Sequence, residues 1–321
     1  MRKTCSEAPM RRLKLHGPTM ATRWSLICDA GPEVDEPALR RNLAVVVDEV
    51  DRQMSPWKPK SDLTRLNASP ADTWVSLPPA ILEVLARALE ISRLSDGAFD
   101  PAVGTLVDAW GFGAARGEPD VQAIGCARSE DGRPAHNWLE LDLTAGRARK
   151  HARMQLDLCG IAKGYAVDRM IAVVQTHEVE HALAALDGEL RALGHQGNGE
   201  PWAIALESPQ YTQRTTRSVI ELADLAVATS GDYRHWLQIG GVRVAHTMDG
   251  RSSVPVHNDV ASVTVLARDG ISADAWATAL LVSGPNAGLA LAQRMGLEAL
   301  WLLRREGSLV ELGLGRFANP L

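Results

Sequence analysis

Six strand-like segments crowd into one stretch of this chain, at 181–186, 201–207, 217–228, 235–239, 241–247 and 260–267, and that density constrains the fold more than any other feature. Most are joined by short turns, and Gly240-Gly241 is a two-residue hairpin signal. Short turns join antiparallel strands, so the sheets are expected to be largely antiparallel. Apolar residues recur at helical spacing over 37–54 (Leu39, Leu43, Val46, Val47, Val50, Met54) and 80–95 (Ile81, Leu85, Ala88, Leu89). Further helices are expected at 161–175, 272–283 and 285–295, the last two parted by Gly284-Pro285. A strand is expected at 20–28, a hairpin at 138–150 and an exposed loop at 114–136. Antiparallel sheets with helices packed on one face make an α+β fold.

A chain of 321 residues with 45% apolar and 23% charged residues can bury a sizeable core and does not read as disordered. Its net charge of −5 argues against nucleic acid as a partner. Four cysteines (Cys5, Cys28, Cys126, Cys159) lack metal spacing and suggest reduced thiols. Residues 1–17 read as a flexible basic tail, and 18–321 as a single domain. The basic residues near the N-terminus precede no apolar run of signal-peptide length, and no stretch approaches a membrane span. A cytoplasmic protein is expected.

Residues 97–113, GAFDPAVGTLVDAWGFG, hold two of the three phenylalanines in the chain. Aromatic faces stack on planar rings, and glycine lets backbone approach a ligand; the same residues could equally fill core. Other segments stand in order around this one: Met20-Ala21-Thr22, then 54–67 (MSPWKPKSDLTRLN), then 157–168 (DLCGIAKGYAVD). After them come 228–233 (ATSGDY), His246 and 274–279 (DAWATA). Together these segments resemble the ApbE family, the FAD:protein FMN transferases, from about Met20 to about Gly296.

The residues carry chemistry of their own. Asp274 and Thr278 are four apart, so they share one helix face and offer hard oxygens of the kind Mg²⁺ takes; an acid near a helix N-terminus and a back-bonded Thr would look the same. A strand, a glycine turn and a helix start at 157–164, where free N–H groups suit phosphate. Period two groups His246 with Val242 and Val244 on a likely inner face, as a core histidine or a general base.

The resemblance implies more. It implies a T-fold-like α+β core and Mg²⁺ held by Asp274, Thr278 and the Gly160 carbonyl. It implies FAD contacts at Met20, Trp57, Ala98, Phe99, Asp100, Asp157, Lys163 and Thr247. His246 would deprotonate a Thr or Ser hydroxyl of an acceptor flavoprotein, which takes FMN while AMP leaves. An FAD pyrophosphatase or a non-catalytic flavin-binding protein are the alternatives. Three departures stand out: Ala21 replaces a family glycine, Asp187 replaces the first residue of a Gly-Gly-Glu turn, and Gly250 and Ser253 replace Pro and Gly after His246. The last pair is expected to alter the shape of that loop.

Overall fold

The computed structural model describes residues 10–114, 117–129, 134–210 and 215–318. It opens on an antiparallel hairpin of β1 (Arg11–Thr19) and β2 (Thr22–Ala30), paired from Arg11↔Ala30 to Thr19↔Thr22. The flexible tail expected over 1–17 is therefore corrected for Arg11 onward. Leu13 and Leu15 alternate with charged residues and both are buried, the pattern of a strand with one covered face. Residues 1–9 lie outside the described residues.

Met20 and Ala21, at the hairpin turn, have φ of 44° and 57°. Two positive φ values suit the tight turn whose twist matches a hairpin, but non-glycine residues there are strained. Ala21→Gly is expected to raise stability by about 1 kcal/mol, read as an upward shift in thermal unfolding; no shift would mean the turn is unstrained.

Four helices follow, of which the first and third match the helical spacing over 37–54 and 80–95 and the two short ones were not expected. They are α1 (Glu36–Met54), α2 (Asp62–Ala68), α3 (Pro79–Leu94) and α4 (Gly104–Ala109), with the short strand β3 (Val75–Ser76) ahead of α3. Asp35 caps α1 by accepting from the Ala38 N–H, and Ser61 caps α2 through Thr64. The loop expected over 114–136 instead holds α5 (Val121–Ser129). Asp120 caps it, its Oδ1 accepting from the Gln122 and Ala123 N–H groups, a signal hidden among the Gly and Pro around it. The expected hairpin is β4 (Leu139–Asp142) and β5 (Arg147–Lys150), and α6 (Ala162–Thr176) matches its expected helix.

The strand-rich stretch resolves into β6 (His181–Leu186), β7 (Glu189–Leu193), β8 (Trp202–Glu207), β9 (Thr216–Leu222) and β10 (Ala226–Gly231). The single strand expected at 217–228 is two. Asp224 breaks it at φ 53°, and its carboxylate accepts from the Gly194 N–H. There follow β11 (Trp236–Ile239), β12 (Val242–Ala245), β13 (Met248–Asp249), β14 (Val254–Pro255) and β15 (Val260–Ala267). After α7 (Gly270–Met295) the sheet continues into β16 (Glu298–Arg305) and β17 (Ser308–Leu314), beyond the last element expected from the sequence.

Eight strands form the main sheet in the order β1-β2-β6-β7-β10-β15-β16-β17, every neighbouring pair antiparallel. The α+β expectation holds. Alternation along β16 reveals both faces. Ala299, Trp301 and Leu303 point into the core shared with α1, α3, α6 and α7, whereas Leu300 and Leu302 point into a second core. The β8–β9 hairpin covers that second face with Trp202, Ile204, Leu206, Ile220 and Leu222. Helices thus pack on one face, as expected, and a hairpin seals the other.

Helix α7 is one element with a break. Gly284 has φ 72° and ψ 178°, and Pro285 follows. Proline has no N–H for the Leu281 carbonyl four residues back; the Asn258 amide donates to that carbonyl instead, at 3.0 Å. By length and composition α7 could cross a membrane, but most of its apolar stretch is buried inside the fold.

Candidate active site

The site grows from the place where α6 and α7 meet. Asp274 lies one turn into α7, almost wholly buried, and its Oδ2 accepts from the Gly164 N–H at 3.0 Å. Gly164 is in the first turn of α6, where N–H groups have no partner within their own helix. One carboxylate oxygen of α7 thus caps α6. The other, Oδ1, makes no hydrogen bond among the described residues. Burial pushes the Asp274 pKa up, and the Lys163 ammonium opposes that shift.

Thr278 sits one turn further along the same face, as its spacing predicts. Its hydroxyl is 3.1 Å from the Ser230 hydroxyl on β10. Gly160 closes the group from the loop before α6. A Cβ there would lie 3.0 Å from Thr278 Oγ1 and 3.4 Å from the Phe99 ring, so glycine lets this backbone approach them without displacing either side chain. Asp157 turns the same loop by accepting from the Cys159 N–H at 2.7 Å, and its own N–H donates to the Pro101 carbonyl. The 97–113 segment is thereby tied to the 157–164 segment.

Lys163 is no simple surface lysine. Its ammonium donates to Glu189 Oε1 at 2.8 Å and lies 3.5 Å from Asp187. Burial alone would lower its pKa, but Glu189, Asp274 and Asp187 outweigh it and hold the charge on. Glu189 is buried and pushed upward by that burial, and its Oε2 has no hydrogen-bond partner. Beside this pair opens a pocket of about 180 Å³, walled by Ile204, Leu206, Val227, Thr229 and Tyr233.

His246 differs from its expected setting. Val242, predicted to share an inner face with it, is 56% exposed. The reason is that β11 and β12 pair only with each other, so alternation there does not report a core face. His246 follows the strand, half-buried, with Nδ1 3.1 Å from the His235 carbonyl and its ring 5.4 Å from the His235 ring. A carbonyl only accepts, so Nδ1 carries the proton and Nε2 keeps a lone pair. Burial first, then the charge of His235, pushes its pKa down to about 4, opposed by the hydrogen bond to the His235 backbone.

The remaining expected residues fall in two groups. Ala98 and Phe99 are buried, with Phe99 supporting Gly160. Asp100 fastens loops: its Oδ1 accepts from the Ala102 and Ala135 N–H groups. Thr247 adjoins His246 and its carbonyl accepts from Val256. Trp57 stands on the α1–α2 connection with 48% of its surface exposed, and Met20 is in the β1–β2 turn; neither enters the contacts just described. The loop after His246 closes as the β13–β14 hairpin, with Ser253 at φ 56° in the place of the expected glycine. Ser230 lies in the 228–233 segment and Glu189 beside the Asp187 turn, and only the fold brings them to Thr278 and Lys163.

These donors suit Mg²⁺. Asp274 gives one carboxylate, Thr278 a hydroxyl and Gly160 a main-chain carbonyl. Mg²⁺ is commonly held by one or two carboxylates with substrate phosphates and waters completing the shell. Among the described residues no three His, Cys, Asp or Glu side chains converge as a metal cluster.

Comparison with known proteins identifies the family. The model of the ApbE family matches residues 20–301. A FAD:protein FMN transferase of Vibrio cholerae is 32% identical over 314 residues, covering 97% of this chain and 93% of that protein. One of Escherichia coli K12 is 29% identical, covering 91% and 84%. Among solved structures, the flavin transferase ApbE from Vibrio cholerae superposes with a TM-score of 0.86 at 31% identity, covering 96% of this chain and 99% of that one. The apo flavinyl transferase ApbE of Pseudomonas stutzeri gives 0.86 at 33% identity, covering 96% of each. With the family model spanning most of its length and a relative at 32% identity over 97% of it, this chain belongs to the ApbE family.

Proposed function

We propose that this protein transfers the FMN moiety of FAD to a Thr or Ser hydroxyl of an acceptor flavoprotein, with Mg²⁺ and with release of AMP. The observation that carries the reading is the His246 Nδ1 set 3.1 Å from the His235 carbonyl, a contact that needs the proton on Nδ1 and leaves Nε2 able to take another. Asp274, Thr278 and the Gly160 carbonyl would hold Mg²⁺. When bound, that ion neutralises charge on the pyrophosphate of FAD. Lys163, kept protonated by Glu189, adds a cation on the same side.

The acceptor hydroxyl loses its proton to His246 Nε2 as its oxygen attacks the FMN-side phosphorus. The bond from that phosphorus to the bridging oxygen breaks, and AMP carries that oxygen away. His246 is neutral at pH 7 because burial holds its pKa near 4, so no prior deprotonation is needed. Positioning supplies much of the rate in such a transfer. Incubating the protein with FAD and Mg²⁺ without acceptor tests the reading against hydrolysis. Little AMP is expected; steady release of AMP with free FMN would make the protein a pyrophosphatase.

Trp57 supplies an exposed aromatic face on a loop stiffened by Pro56 and Pro59. Stacking of a planar base on an aromatic is worth roughly 1–3 kcal/mol. Trp57→Ala is therefore expected to weaken FAD binding by about tenfold or more, measured by quenching of flavin fluorescence. Unchanged affinity would remove Trp57 from the flavin site.

A further inference from the structure

The charged residues around α6 and α7 do more than the proposed transfer uses. Asp168, on α6, places Oδ1 2.7 Å from the Gly270 N–H and Oδ2 2.9 Å from the Ile271 N–H. These are the first two residues of α7. Asp274 of α7 returns the favour by capping α6 at Gly164. Each helix thus caps the N-terminus of the other.

The contact between them is backbone on backbone. A side chain at Gly164 would overlap the Gly270 carbonyl oxygen, and one at Gly270 would overlap the Gly164 carbonyl oxygen. Gly270 and Asp274 are four apart, so they lie on one face of α7. Where Asp168 sets Gly270, it also sets Asp274. Strand β7 locks the arrangement from the side. Glu189 and Arg191, two apart on one strand face, reach α6 as two pairs: Glu189 with Lys163, and Arg191 with Asp168 at 2.6 Å.

We infer that Asp168 is a positioning residue for the metal carboxylate: by holding the start of α7 against α6, with Arg191 fixing its own carboxylate, it sets where the Asp274 carboxylate stands on the face of α7 that it shares with Thr278. It touches neither metal nor substrate. The inference rests on the reading of Asp274 as a Mg²⁺ ligand.

The test titrates Mn²⁺, as an EPR-visible stand-in for Mg²⁺, into the full-length protein with FAD and without acceptor, and records thermal unfolding in parallel. Replacing a residue that orients a ligand typically costs 10–100-fold in metal affinity. Asp168→Ala is expected to weaken Mn²⁺ binding by about tenfold or more. High Mg²⁺ should then restore most of the transfer rate, so the loss falls on the metal's apparent KM rather than on kcat. Asp168→Asn, which keeps one acceptor oxygen and is the arm that decides should the alanine variant not fold, is expected to lose less, though still more than about threefold. Asp269→Ala provides the comparison. Asp269 caps α7 from within, through Ser272, so its loss should lower the unfolding temperature and leave Mn²⁺ affinity within about threefold. Mn²⁺ affinity unchanged in Asp168→Ala, or in Asp168→Asn where the former does not fold, would overturn the inference. So would an equal loss in Asp269→Ala, which would make Asp168 an ordinary helix cap. A wild-type protein that binds no Mn²⁺ in the presence of FAD would overturn the metal reading itself, and the inference with it.

Discussion

Asp274→Ala is expected to lower flavin transfer by about a thousandfold or more at saturating FAD and Mg²⁺. A bound metal stabilises developing charge by several kcal/mol, and each 1.36 kcal/mol is a factor of ten in rate. Asp274 is the only carboxylate in the proposed donor set, so its loss leaves a hydroxyl and a carbonyl, too little for a hydrated Mg²⁺. The substitution has a second effect. Gly164 N–H loses its acceptor in a buried place, which costs about 1–3 kcal/mol of stability. Asp274→Asn separates the two. An amide oxygen can still accept from Gly164, so most of the stability should return, while transfer should stay low because the charge is gone. Unfolding temperature and single-turnover transfer, measured on both variants, check this. Full activity in Asp274→Asn would show that the carboxylate serves the helix junction alone.

His246→Ala is expected to lower transfer by about 10²–10⁴-fold, the usual contribution of a general base. FAD binding should change little, since no contact described for the metal donors or Lys163 involves the imidazole. The pH profile carries its own signature. Folding lowers the His246 pKa from 6.5 to about 4, so the neutral, proton-accepting ring persists well below pH 6.5. The wild-type rate should show no loss of a base near 6.5, and any fall that His246 causes should come near pH 4. The stability linkage runs the same way. Keeping the ring neutral favours the folded state fully above pH 6.5, and that contribution is lost as pH falls from 6.5 toward 4. A rate limb centred near 6.5 that vanishes in His246→Ala would mean the ring is solvated and titrates freely.

Much of this was legible in the sequence because it is local. The i, i+4 spacing of Asp274 and Thr278 is a property of any helix, and the structure keeps both on one face of α7. Gly160 likewise turns the chain into α6 as expected, although the segment before it holds only an isolated bridge at Gln155 where a strand was expected. The β15 strand and the α6 and α7 helices fall close to their expected bounds. What escaped is what depends on partners distant in the chain. Glu189 has no sign of its role until β7 pairs beside β10 and faces α6. Ser230 reaches Thr278 only because β10 lies under α7. Leu13 and Leu15 read as part of a basic tail, since two leucines between charges do not declare a strand until β2 pairs with them. Val242 and Val244 misled in the other direction: alternation marks a buried face only where a sheet is packed, and β11–β12 stands apart. Cys159 is the opposite lesson, a residue inside the most family-like segment to which no role falls.

The most direct test of the account is product analysis of the protein with FAD, Mg²⁺ and an acceptor flavoprotein bearing a Thr or Ser flavinylation site, by mass spectrometry of the acceptor alongside nucleotide chromatography. The acceptor is expected to gain the mass of FMN less one water, with one AMP formed per acceptor modified and both products requiring Mg²⁺ and Asp274. AMP and free FMN formed equally with or without acceptor, or FAD bound with no product at all, would contradict it.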